Sequence, residues 1–234
     1  MSGQRHLHEE VERLQTRLMG MAGIAEEMVR LAVQALQERD AACAQRVVDR
    51  DEDVDAAEME IDDLAISLLA LQQPMARDLR FITMAMKISN DLERVGDHAV
   101  NIAQACSFII DAPPFPPLPE LNEMSRMVTS MLADALDAFV RLDSRLAREI
   151  GDRDDRVDEL RDNTFRVLLT HMMEDPRRIS SGMDLFLVSR NLERIGDLAT
   201  NIAEDVVFLV EGRSIKHTHP PAEAPEARAA SPAG

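Results

Sequence analysis

The chain has 234 residues, 45% of them hydrophobic, with 26 Lys and Arg against 43 Asp and Glu and a net charge of −17. The apolar content is enough for a real core, and the charge argues against direct binding to nucleic acid or to an anionic lipid surface, both of which need clustered Lys and Arg. Aromatic residues make up 3%, with no Trp or Tyr and 14 Met. This mixture favours helix over strand, so the composition points to an all-α fold.

From residue 6 to about 40, Leu7, Val11, Leu14, Leu18, Met21, Ala25, Met28, Val29 and Ala32 recur at the three- and four-residue spacing of an amphipathic helix. A second helix is predicted over about 42–71, with Val47, Val54, Ala57, Ile61, Leu64 and Leu68 on its apolar stripe. Gln73-Pro74 ends it, because the residue before proline is pushed out of the helical region. A third helix runs over about 75–110. Next comes the segment 111–119, DAPPFPPLP, whose five prolines favour an extended connector. Helices are then predicted over about 120–143, 144–174 and 177–210, with a break at Asp175-Pro176 and Gly212 as a stop. The polar, Pro- and Ala-rich remainder, with His217 and His219, reads as a disordered tail. The expected architecture is two tandem, pseudo-symmetric antiparallel three-helix bundles. They span residues 1–112 and 120–216, joined by the connector 113–119 and followed by the tail 217–234.

Two cysteines, Cys43 and Cys106, are too few for a disulfide framework and read as reduced core residues. The start lacks the apolar stretch of a signal peptide, and no run approaches the length of a membrane span, so a cytoplasmic protein is expected.

The most informative feature is a duplication. Residues 89–103 read SNDLERVGDHAVNIA, and residues 189–203 read SRNLERIGDLATNIA. Each copy holds an acidic pair four residues apart, Glu93 with Asp97 and Glu193 with Asp197, stacked on one helix face. Asp55 lies 19 residues before Pro74 and Glu93 lies 19 after it; Asp51 and Asp97 are each 23 away. In the second half Asp158 and Glu193 lie 18 and 17 residues from Pro176, and Asp154 and Asp197 lie 22 and 21 away. Equal distance from the turn of an antiparallel pair means equal height, so four carboxylates per half are predicted at one level. Glu58 adds a fifth in the first half, whereas its counterpart in the second is Arg161, so the halves are not equivalent.

Such clusters suit hard cations. Arg94 and Arg194 offer the alternative of internal salt bridges. The Glu-x-x-His element of di-iron bundles is absent, since Gly96 and Gly196 stand where the His would be. A recurring helical Gly costs about 1 kcal/mol against Ala. It implies either close helix packing or room for a bound group. His98 is replaced by Leu198 in the second copy, and His171 reads as a packed helix residue. No Gly-rich phosphate loop, nucleophile elbow or nucleophile–base set is visible.

These residues resemble the phosphate-specific transport system accessory protein PhoU family. The resemblance rests on Gln73-Pro74-Met75-Ala76-Arg77-Asp78-Leu79-Arg80, on Leu92 to Asp97 and Leu192 to Asp197, on Asn201-Ile202-Ala203-Glu204, and on His171 to Asp175. It covers about residues 5–216. It implies two symmetric three-helix bundles, metal at the repeated Glu-x-x-x-Asp elements, a cytoplasmic location and a homodimer. The metal-site residues it implies are Glu93, Asp97, Glu193 and Asp197 with Asp51, Asp55, Asp154 and Asp158, holding divalent or ferric ions (iron, zinc, manganese or magnesium). The implied function is non-enzymatic. It is negative regulation of the phosphate-starvation response and of phosphate uptake, through an adaptor linking the ATPase subunit of a phosphate ABC transporter to a phosphate sensor histidine kinase. The membrane is reached only through those partners. The alternative from another class is a carboxylate-bridged, metal-dependent phosphoester hydrolase.

Overall fold

Among the residues described by a computed structural model, 2–110 and 112–213, every regular element is helical. The expected tail 217–234 lies outside the described residues. The order is α1 (Ser2–Glu38), α2 (Ala41–Asp49), α3 (Asp51–Gln72), α4 (Ala76–Ile110), α5 (Pro119–Arg141), α6 (Ser144–Gly151) and α7 (Asp154–Glu174). A single 3-10 turn (Pro176–Arg178) then leads into α8 (Ile179–Glu211). No described helix is long and apolar enough to cross a membrane.

The middle rod of each half is not the one continuous helix that the periodicity predicts. It is kinked, at Arg50 between α2 and α3 and at residues 152–153 between α6 and α7. At both kinks the backbone tightens: Arg50 N bonds to Val47 O at 3.1 Å and Arg153 N to Ile150 O at 3.0 Å, each three residues back. The apolar stripe carries on across the kink, with Val47 and Val54 buried on either side, so periodicity alone gives no sign of it. The ends of the short helices are well marked. Asp40 caps α2 through Ala42 N and Cys43 N, and Asp143 caps α6 through Arg145 N and Leu146 N. Past each kink, acids occupy the first turn (Asp51, Glu52 and Asp53; Asp154 and Asp155), where the helix dipole favours them.

The breaks fall where proline and glycine predict. Gln73 takes a left-handed conformation (φ 46°) before Pro74, and Asp175 is extended before Pro176. Pro119 is the first residue of α5 rather than the last of the connector, because its missing N–H costs nothing there. Gly212 ends α8 at φ 69°, its N–H donating to Phe208 O at 2.8 Å. At the end of α1, the Arg39 guanidinium lies 2.6 and 2.7 Å from the carbonyl oxygens of Ile109 and Ile110, so one side chain caps the end of α4.

The halves meet along α4 and α8, which share the most extensive helix contact in the chain. They run antiparallel, as two cross-contacts show: His98 Nδ1 is 2.9 Å from Asn191 Oδ1, and Lys87 Nζ is 3.8 Å from Asp205 Oδ1. Buried side chains from both halves form one continuous core. Cys43 and Cys106 are both free and buried within it.

The repeated glycines mark close packing. A Cβ on Gly96 would lie 3.5 Å from Val54 Cγ1, and one on Gly196 would lie 3.5 Å from Val157 Cγ1. The space there is filled by valine. It also has ordinary room for one methyl group, so Gly96→Ala leaves the thermal midpoint unchanged or raises it, by up to the helix-propensity difference of about 1 kcal/mol. Gly96→Leu overfills the same contact and costs about 1–3 kcal/mol. Thermal unfolding followed by circular dichroism checks both.

Candidate metal centre

Val54 sits between Asp51 and Asp55 on α3, and Val157 between Asp154 and Asp158 on α7. When Val54 packs on Gly96 and Val157 on Gly196, each flanking acidic pair is brought level with the pair on the long helix beside it. Glu93 and Asp97 on α4 therefore face Asp51 and Asp55; Glu193 and Asp197 on α8 face Asp154 and Asp158. The predicted carboxylates are gathered in both halves, as their mutual electrostatics show. Burial, then the charges of Asp97, Glu58, Asp55 and Asp51, push the Glu93 carboxyl up to about 7. Burial, then Asp55, Asp97 and Glu52, raise Asp51 as well. In the second half burial, then Glu193 and Asp154, push Asp197 up to about 6, against the lowering effect of Arg194. Asp154 is raised by burial and by Asp158, and a hydrogen bond from Thr200 at 3.4 Å opposes the rise.

The two clusters differ in what balances this charge. Glu58 joins the first and accepts a hydrogen bond from Asn90 Nδ2 at 3.3 Å. Arg94 turns to Asp91, 3.7 Å away, and among the described residues no basic side chain pairs with Asp51, Asp55, Glu93 or Asp97. In the second cluster Arg161 Nη1 lies 2.8 Å from Glu193 Oε1, and Arg194 Nη1 lies 3.3 Å from Asp197 Oδ2. Internal salt bridges, one of the two readings the sequence leaves open, are thus present in the second half and not in the first.

The first cluster fits a hard cation in its chemistry: five carboxylates, partly desolvated and, among the described residues, without a counter-charge. Among the described residues, no three His, Cys, Asp or Glu side chains converge closely enough to hold an ion as they stand. The fit is therefore one of donor type and charge, not of a closed coordination shell.

A further repeated feature lies beside the acidic pairs. Arg50 reaches Glu27 at 3.2 Å and Asp53 at 2.9 Å, and Arg153 reaches Asp134 at 2.6 Å. Each arginine ties the kink back to the first helix of its half and so fixes where the acidic pair begins. The sequence carries the signal as Arg50-Asp51-x-x-Val54-Asp55 and Arg153-Asp154-x-x-Val157-Asp158, 103 residues apart. His98, outside the duplication, bonds across to Asn191 rather than to the acids. His171 packs edge-on against Phe115, with Nδ1 3.2 Å from Glu174 Oε2.

Fold and site together define an internally duplicated, all-α protein with a carboxylate cluster on the paired helices of each half. A family model described as the PhoU domain matches residues 18–106 and again residues 121–206. The chain belongs to the PhoU family. It is 42% identical over 213 residues to a phosphate-specific transport system accessory protein PhoU homolog of Caulobacter vibrioides, covering 91% of this chain and 93% of that one. The crystal structure of PhoU from Pseudomonas aeruginosa superposes with a TM-score of 0.86 at 39% identity, over 88% of this chain and 99% of that one. The phosphate transport system regulatory protein PhoU from Streptococcus pneumoniae gives 0.82 at 28% identity, over 89% and 99%.

The raised Glu93 carboxyl fixes the sign of a pH effect. In metal-free protein the folded state holds this proton up to about pH 7, whereas the unfolded chain releases it near 4.5. Between these values the folded state binds more protons, so its stability is greatest below that window and falls as pH rises through it. Glu93→Gln removes this component. Urea unfolding of chelator-treated protein at about pH 5 and about pH 8 should show a smaller loss on raising pH in the variant than in the parent.

Proposed function

We propose that this chain is a negative regulator of the phosphate-starvation response and of phosphate uptake. It works as a cytoplasmic, non-enzymatic adaptor, a homodimer standing between the ATPase subunit of a phosphate ABC transporter and a sensor histidine kinase. The observation that carries the reading is the match of both halves to the PhoU model, together with relatives named as accessory proteins of phosphate-specific transport. A regulatory role in phosphate transport follows from that membership; the named partners are the proposal.

An exposed apolar face supports docking to proteins. Phe165, Leu169 and Met173 recur every four residues on α7, and Ile179, Met183 and Leu187 do the same on α8; all six are between 40% and 78% exposed. The rows lie on consecutive helices either side of the turn at Pro176, and Phe165 meets the half-buried Phe186 of α8 with ring centroids 5.0 Å apart. A contiguous apolar patch on a soluble surface marks an interaction site. In the first half the matching positions include Asp62, Thr83 and Lys87, which break the stripe.

The first carboxylate cluster is proposed as a metal site, with Glu93, Asp97, Asp51 and Asp55 as its ligands. A multivalent cation held by these residues would supply the positive charge that the cluster lacks. The chain's own part is to hold the four acids level through the Val54–Gly96 contact and the Arg50 tie, and to keep Glu93 half-buried, where repulsion is strongest.

Deleting the gene should release a phosphate-starvation reporter in cells growing on ample phosphate; a reporter that stays repressed would sink the regulatory reading. Leu169→Glu with Met183→Glu should weaken binding to the purified ATPase subunit or to the kinase's cytoplasmic part by about tenfold or more, the scale of losing central anchor residues. Surface plasmon resonance reads the loss, and unchanged affinity for both partners removes this face from the proposal. Elemental analysis of protein purified without chelator should find metal that Glu93→Ala with Asp97→Ala removes.

A further inference from the structure

The halves repeat the acidic pairs but not the charge around them. One turn beyond Asp55 on α3 stands Glu58; at the equivalent place on α7, one turn beyond Asp158, stands Arg161. The Arg161 side chain is 29% exposed and the Glu193 side chain 12%, so their 2.8 Å pair is largely withdrawn from solvent. Arg161 also lies 3.6 Å from Asp158 Oδ1, and its second terminal nitrogen lies 2.9 Å from Asp162 Oδ1. From α8, Arg194 reaches Asp197 at 3.3 Å and Glu193 at 3.8 Å, and Thr200 donates to Asp154 at 3.4 Å. Every carboxylate of the second cluster therefore has an arginine or a hydroxyl beside it. The first cluster has five carboxylates and, among the described residues, no basic partner.

We propose that Arg161 is a resident counter-ion that takes the place of metal in the second half and keeps metal out of that cluster. The inference rests on reading the clusters as cation sites. A guanidinium stays protonated at any physiological pH, offers donors only, and pairs with carboxylate oxygens in a fixed planar geometry. It cannot vacate the site by losing its proton. A multivalent ion entering among Glu193, Asp197, Asp154 and Asp158 would have to strip two arginines from their acids and then sit beside them, because both stems are fixed on the same helices. At these distances, in a partly desolvated surface, like-charge repulsion is of the same order as the attraction the ion would gain. The consequence is a division of labour. The packing of α7 on α8 is clamped permanently by the protein's own charge, and only that of α3 on α4 answers to metal.

The test uses the full chain with the first cluster disabled by Glu93→Gln and Asp97→Asn. It is incubated with Mn²⁺ or Zn²⁺ and desalted, then assayed for bound metal and for the thermal midpoint with and without the ion. This protein should retain well under one equivalent and show no metal-dependent midpoint. Adding Arg161→Glu to it should confer about one equivalent or more and a midpoint that rises with metal, and further Glu193→Gln with Asp197→Asn should abolish both. Should the Arg161→Glu protein lose its helical circular dichroism, Arg161→Gln serves instead, removing the guanidinium without adding an acid. The proposal is overturned if the first-cluster variant already holds an equivalent that Glu193→Gln with Asp197→Asn removes, or if folded Arg161 variants gain none. An unmutated chain that takes up no metal would instead overturn the metal reading of the first cluster, a separate result.

Discussion

The antiparallel contact of α4 with α8 is the constraint on which the rest of the molecule depends. Each of these long helices is the innermost member of its own bundle and also the wall it shares with the other half. Leu92, Val95, Ala99, Ile102 and Ala103 on one, and Leu192, Ile195, Ala199, Ile202 and Ala203 on the other, are almost wholly removed from water. With so little surface left, polar residues on α4 and α8 are confined to narrow strips. The strip beside α3 carries Glu93 and Asp97, and the strip beside α7 carries Glu193 and Asp197. The acids are concentrated because the fold gives them nowhere else to stand.

Partial burial then sets the chemistry. Water stabilises and screens an exposed carboxylate, and burial against a helix removes that stabilisation, so burial is the leading cause of the upward shifts at both Glu93 and Asp197. Two ways of meeting that charge are available, an external cation or an internal arginine, and the halves differ in which one the chain itself provides. A duplicated protein can diverge this way at little cost in stability. The Val–Gly contact that sets the geometry is kept in both halves, while the position one turn along the helix is free to be Glu58 or Arg161.

Much of this was legible in the sequence. The acids that counting outward from Pro74 and Pro176 sets at one level, because antiparallel helices convert sequence distance into height, lie close enough in each half to act on one another's charge. The mismatch of Glu58 with Arg161 was visible too, from the 103-residue offset. The kinks at Arg50 and residues 152–153 were not, since an apolar stripe survives a tightening of a single turn, and neither kink contains a proline. Salt bridges from Arg94 and Arg194 were foreseen as one alternative, but that only Arg194 would turn to the acids was not. Arg94 and Arg194 occupy the same place in the same motif, yet one turns to Asp91 and the other to Asp197, because Asn191 stands where the first half has Asp91.

By itself, then, the sequence determined the helical class, the duplication, the turns and the height of each carboxylate, because all of these follow from spacing along one chain. Tertiary structure alone decided which charges cancel. That depends on side chains from different helices reaching a common few ångströms, as Arg161 does with Glu193 and His98 with Asn191. It also decided where the apolar face lies open, because amphipathic periodicity shows that a stripe exists but not whether another helix covers it.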